Sequence, residues 1–202
     1  RDSILFASGT LNEKRGGPSV KVPLEPEVYD LIFTEGEPDG LWPVTPDVAE
    51  HVRRSIYLFN KRNVRQPLLE AFDQPDTLNS CAVRPASTFA PQALILMNGP
   101  FVQEQGKAPA EKLMAEQGAD SAQATTALFR RALGRDPNDA ERRLAAEFLK
   151  DQTATIRANV AAGRPLGIAS ERIPKTADAA TTRALADLAI AVFNSNEFVH
   201  IP

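Results

Sequence analysis

The sequence predicts a mainly α-helical domain with a loop-rich, proline-rich N-terminal lobe and room for one short strand pair. Three observations predict it. The prolines crowd the first half, at Pro18, Pro23, Pro26, Pro38, Pro43 and Pro46, and proline removes a donor and breaks helices. The second half shows apolar residues at helical spacing, punctuated by caps and glycine stops. At 202 residues the chain is long enough to bury a real core as one domain, with a loop-rich sub-lobe over 1–86 and a helical one over 87–202.

Residues 1–8 read as the end of a helix that Gly9 stops, since glycine accepts the left-handed conformation. A chain that opens inside a helix points to a fragment of a larger protein, its targeting signal lost with the missing part. Gly16-Gly17-Pro18-Ser19 reads as a surface connection. Pro26 can open a turn of helix through Glu27-Val28-Tyr29. Trp42 is expected to plug its loop onto the domain; the sharper alternative is an exposed ring that stacks on carbohydrate. From His51 to Lys61, β-branched and aromatic residues mix with arginines. Read as a strand, Val52, Arg54, Ile56 and Leu58 share one face, and Arg53, Ser55, Tyr57 and Phe59 the other. Neither face is cleanly apolar, so an arginine must point toward protein and needs a carboxylate partner. Pro67 starts a helix turn, and Asp73 closes the turn after it. Cys81 reads as a small, partly buried residue.

Ser87 or Thr88 is the expected N-cap of a helix that carries Pro91 in its first turn and runs to about Met97. Asn98-Gly99-Pro100 ends it. A further helix from Phe101 is expected to be interrupted near Gly106 to Pro109 and to resume through Leu113 and Met114 to Gly118. Ser121 to Leu133 is helical and stops at Gly134. Asp136 is the expected cap of the next helix, with Pro137 at its first position and a stripe of Leu144, Ala145, Phe148 and Leu149. Ala161 to Thr176 reads as a linker. The last helix, Asp178 to Asn194, turns Leu185, Leu188, Ala189, Val192 and Phe193 to one side. Burying its four large apolar side chains contributes on the order of 6–12 kcal/mol.

Composition narrows the function. A net charge of −3 gives no electrostatic reason to expect nucleic acid. One cysteine allows neither an internal disulfide nor the Cys-x-x-Cys-His of a c-type haem. Two histidines, His51 and His200, make a dedicated zinc site implausible. The longest apolar run, Ala93 to Met97, is too short to span a bilayer. No dinucleotide-binding, phosphate-loop or nucleophile-elbow motif occurs.

What stands out is a polar set: Arg53, Arg54, Arg62, Arg84, Asp73 and Asp76, with Asn196 and Glu197 near the end. One reading is a structural network in which arginine forks tie irregular backbone to carboxylates. The other is an anion or sugar pocket lined by Arg54 and Arg84, with Asp73 as acceptor. Ligand-binding candidates on that reading are Arg53, Arg54, Asp73, Arg84 and Glu197. No catalytic residue, metal or cofactor is assigned.

The segments RDSILFASGTL, GGPSV, RRSIYLFNKR, FDQPD, STFAPQALILMN, RRALGRDPNDAE and FNSNEFVHI occur in this order over nearly the whole chain. With them the chain resembles a planctomycete-type domain of unknown function. That domain is found toward the C-terminus of large exported proteins that also carry cytochrome-c-like domains. The motif positions include Arg53, Arg54, Tyr57, Phe72, Asp73, Arg84, Thr88, Pro91, Gln92, Asn98, Phe101, Asn196, Glu197 and Phe198. Gly106-Lys107-Ala108-Pro109 departs from the uninterrupted helix that the resemblance implies. The resemblance further implies an extracytoplasmic setting (periplasm or cell envelope), haem only in other domains of the full-length protein, and those domains as partners. The expected role is a non-catalytic interaction or scaffolding module. The alternative is a carbohydrate-binding or hydrolytic domain of an exported polysaccharide-processing protein, with a glycan as partner.

Overall fold

The computed structural model describes residues 1–26, 28–29, 42–62, 64–75, 79–83, 86–117, 120–169, 173 and 175–200. They are mainly α-helical. The helices are α1 (Asp2–Ser8), α2 (Pro67–Ala71), α3 (Ala90–Asn98), α4 (Pro100–Glu116), α5 (Ser121–Leu133), α6 (Asp139–Ala161), α7 (Ala179–Phe193) and α8 (Asn196–Val199). The chain divides into two compact units, Arg1–Asp2 with Leu11–Ile95, and Ser3–Thr10 with Leu96–Pro202. The division falls nine residues beyond the expected 86/87 boundary, and Ser3–Thr10 join the second unit.

In the first unit the expected strand over 51–61 does not form. Two 3-10 turns stand there, Val48–Val52 and Ser55–Tyr57, with isolated parallel bridges Asn12 to Arg53 and Val20 to Leu58. The reason lies in who holds the peptide groups. Arg1 Nη2 donates to the His51 carbonyl at 2.6 Å and Arg1 Nη1 to the Arg53 carbonyl at 2.8 Å. The Asp2 carboxylate accepts from Ser55 N at 2.8 Å. Groups that a ladder would need are satisfied by side chains, and each buried peptide group must find some partner. Trp42, only 6% exposed, forms a small core with Val64, against Leu24 and Tyr29. Its Nε1 donates to the Val22 carbonyl at 2.8 Å, and Phe59 meets its ring edge-on at 5.8 Å. Trp42 plugs its loop; a ring so buried offers no face to a sugar.

α3 begins at Ala90, with Pro91 in its first turn. Neither Ser87 nor Thr88 is at its N-cap. Ser87 instead donates to Asp73, fourteen residues back. Cys81 is exposed rather than partly buried.

The second unit is built around α7. Its buried residues include Ala180, Ala184, Leu185, Ala186, Leu188, Ala189, Ile190, Val192 and Phe193, so apolar residues cover most of its circumference, while Arg183 and Asp187 pair with each other on the remaining side. α4 runs unbroken through Gly106 and Pro109, against the expected interruption. At Gly106 the helix comes so close to α7 that an added Cβ would lie 2.6 Å from Ile190 Cγ1 and 3.0 Å from the Ala186 carbonyl oxygen. Pro109 removes the donor for the Gln105 carbonyl, yet the site is closed by packing. Pro109 is fully buried, and the Gln105 side chain accepts from Ser8 Oγ at 2.9 Å and Thr10 Oγ1 at 2.5 Å. Tertiary contact overrides local propensity here.

α5 ends as expected at Gly134, whose φ is 70°. The cap of α6 is Asn138, two residues beyond the expected cap at Asp136. Asn138 and Glu141 form a reciprocal capping box, while Asp136 accepts from Arg130. Its buried face is Ala145, Leu149, Thr153 and Ile156. Leu144 (66% exposed) and Phe148 turn outward, so the expected stripe joined two neighbouring faces. α7 takes Asp178 as its cap, which accepts from Thr181 N at 2.8 Å.

Candidate functional site

The polar residues singled out in the sequence occupy several separate sites. Arg53 is 1% exposed. Its Nη1 donates to Glu50 Oε2 at 2.9 Å, and its Nη2 donates to the carbonyls of Lys14 (3.1 Å) and Gly16. The guanidinium lies 3.9 Å from the centre of the Tyr57 ring. Lys14 Nζ also donates to Glu50, at 2.7 Å. The hydrogen bond from Lys14, then that from Arg53, holds the Glu50 carboxyl below its usual range. One fork thus ties the 14–16 loop to the 48–52 turn, and its planar donors suit that task better than a lysine's.

Arg54, the next residue, points the other way. Its side chain is 63% exposed and its Nε stands 3.6 Å from Asp2 Oδ2. Asp73 has a φ of 58°, the left-handed region that asparagine and aspartate tolerate best. Its carboxylate accepts from Ser87 N at 2.7 Å and from Ser87 Oγ at 2.9 Å. Gln92 Nε2 reaches the carbonyls of Ala71 (2.9 Å) and Ser87 (3.0 Å). Together they close the loop that α2 opens. Arg62 is exposed in the turn bridged by Lys61 and Val64. Arg84 and Asp76 lie outside the described residues.

Glu197 belongs to a different group, in the second unit. It accepts from Arg135 Nε at 2.7 Å and Nη2 at 2.6 Å. The same guanidinium donates to both oxygens of Glu141, at 2.8 and 2.7 Å. The Arg135 hydrogen bonds, with that from Asn138 N, bring the Glu141 carboxyl down to about 2. Arg135 itself is pushed up, first by Glu141 and then by Glu197. One arginine held by two carboxylates pins α8 to the start of α6. Glu197 therefore shares its partners with neither Arg53 nor Asp73.

The second unit also carries a groove of about 380 Å³ between α5, α6 and the first turn of α7. Its rim holds Arg142, Lys150 and Arg157, and its floor Ala145, Leu149 and Thr153. None of these was marked as a site residue. The signal was present: spacings of eight and seven residues return to one side of a helix with 3.6 residues per turn. Among the described residues, no three His, Cys, Asp or Glu side chains gather as a metal site. No described helix is long and apolar enough to cross a membrane.

Residues 1–149 match the family PSD1, described as a protein of unknown function (DUF1553). The chain belongs to the PSD1 family. The match covers the positions of Arg53, Arg54, Asp73 and Arg84 and stops inside α6, so Glu197, Lys150 and Arg157 lie beyond the PSD1 match. No curated protein matches, and no solved structure does.

Proposed function

We propose that this PSD1 chain is a non-catalytic interaction or scaffolding module of a large multidomain cell-envelope protein. Its partners are the other domains of the same polypeptide, cytochrome-c-like ones among them, and haem resides there. The planctomycete association, the C-terminal placement and the extracytoplasmic setting belong to this proposal and rest on the motif resemblance.

The observation that carries it is the Arg53 fork. A guanidinium that hydrogen-bonds Glu50 and the carbonyls of Lys14 and Gly16, and whose face lies on Tyr57, holds backbone in place. Its donors are directed inward rather than into a cleft. Chemical cross-linking of the full-length protein tests the proposal. Cross-links between this chain's exposed lysines and other domains of the polypeptide are expected. Turnover of a glycan by the isolated chain, lost in Arg54→Ala with the melting temperature unchanged, would establish the enzymatic alternative instead.

A further inference from the structure

The groove between α5, α6 and α7 serves neither the Arg53 fork nor the Arg135 triad. We propose that it binds a compact organic polyanion, a molecule with two or more carboxylate or phosphate groups on a carbon skeleton.

Size comes first. Its volume, about 380 Å³, falls in the ~300–1,000 Å³ range of small-molecule sites, which favours a compact ligand over a docked helix. Charge comes next. Arg142, Lys150 and Arg157 rise along one side of α6 over roughly 22 Å, at 1.5 Å per residue. Arg142 Nη1 donates to Thr126 Oγ1 at 3.0 Å, and Arg157 stands 3.2 Å from Asp178. Lys150 has no ion pair or hydrogen bond among the described residues. Three cations therefore face the groove, against one carboxylate in contact with them.

The floor adds an independent mark. Thr153 is 7% exposed, and its hydroxyl makes no hydrogen bond among the described residues. Its neighbours in the groove behave differently: Thr125 and Thr126 donate to the carbonyls of Ser121 and Ala122, four residues back. The Thr153 oxygen is not among the buried side-chain atoms left without a partner, so this hydroxyl is open to the groove and free to donate to something that enters. Leu149 and Ala145 beside it are apolar, which suits a carbon skeleton better than a bare inorganic ion.

The geometry also says which way the ligand's charges point. The N-termini of α5 and α7 open on the groove, but Asp120 accepts from Ala122 N and Gln123 N, and Asp178 from Thr181 N. Those backbone donors already have a carboxylate each. The ligand's anionic groups therefore face the α6 cations, not the helix ends.

The inference does not depend on the scaffold proposal, because contacts between domains need no small ligand. Calorimetric titration of the chain tests it, with citrate, inorganic phosphate, maltose and hexaglutamate as probes. Citrate is expected to bind about tenfold more tightly than phosphate, and maltose not at all, a gap of one decade in Kd. Lys150→Glu, at an exposed position, is expected to weaken citrate by about tenfold or more, since it places like charge beside the ligand. Thr153→Val should weaken it severalfold while leaving the melting temperature in place. Citrate bound no better than phosphate, or undiminished by Lys150→Glu, overturns the inference. So does a preference for hexaglutamate, which would make the groove a surface for acidic protein segments.

Discussion

Among the largest fully buried side chains of the described residues, the first unit contributes Arg53, while the second contributes Phe193, Leu5, Leu113, Met114, Leu128 and Leu185. The contrast has a physical cause. In the second unit long helices satisfy their own peptide groups, so hydrocarbon can fill the interior. Among the described residues of the first unit between Leu11 and Val64, short turns and isolated bridges leave many peptide groups to be answered by side chains. A guanidinium carries five donors in a rigid fork, and Arg53 and Arg1 both use theirs on backbone carbonyls. Irregular chain thus needs a polar interior where regular chain tolerates an apolar one.

Four measurements sharpen or break that contrast, the largest effect first. Trp42 is the chain's single tryptophan, so its fluorescence reports on the first unit, while far-UV circular dichroism is dominated by helices of the second. Arg53→Met leaves Glu50 to Lys14 alone and strands the carbonyls of Lys14 and Gly16; at about 1–3 kcal/mol for each unsatisfied buried acceptor it is expected to cost about 2–6 kcal/mol. The loss should appear in the urea transition of Trp42 fluorescence. Leu185→Ala hollows the fully buried face of α7 and should cost about 2–5 kcal/mol, read by circular dichroism. Equal shifts of both signals by both variants would end the claimed division of labour.

Gly106→Ala is expected to cost about 1–3 kcal/mol through overpacking, because the Ala186 carbonyl is backbone and cannot swing aside. A neutral result in thermal melts would mean that α4 and α7 separate easily. The smallest effect belongs to the exposed Arg135 triad. Glu141 is depressed in the folded chain, from 4.5 to about 2. Its contribution is therefore complete above pH 4.5 and fades as pH falls toward 2. Melting curves between pH 6 and pH 2.5 should show this loss, and Glu141→Gln should flatten it.

Elements made by local signals were legible in the sequence. The span Ser121–Leu133 and its stop at Gly134 were readable to the residue, because a cap and a left-handed glycine act on their own turn. The helix α7 was readable to within one residue at each end. Elements decided by distant partners were not. The 51–61 stretch has the residues of a strand, but Arg1 and Asp2, about fifty residues away, take its peptide groups. Gly106 and Pro109 signal a break, and Ile190 cancels it. The same holds for the polar residues. That an arginine in 51–61 had to find a carboxylate followed from its unclean faces, and Arg53 finds Glu50. That Glu197 would meet Arg135 depended on a fold that brings α8 to the start of α6. The groove escaped because its three cations look like ordinary surface charge until they are placed on one helix face.

Gly106 and Pro109 carry a consequence for the order of assembly. A helix with a glycine and a proline in its middle propagates poorly by itself. Its cover, Ala186 and Ile190, is translated some eighty residues later. During synthesis α4 leaves the ribosome before α7, and its middle is expected to be weakly helical until α7 has emerged. The late helix would then serve as a template for the early one, and a chain ending before Ile190 is expected to lack the contact that closes Gly106.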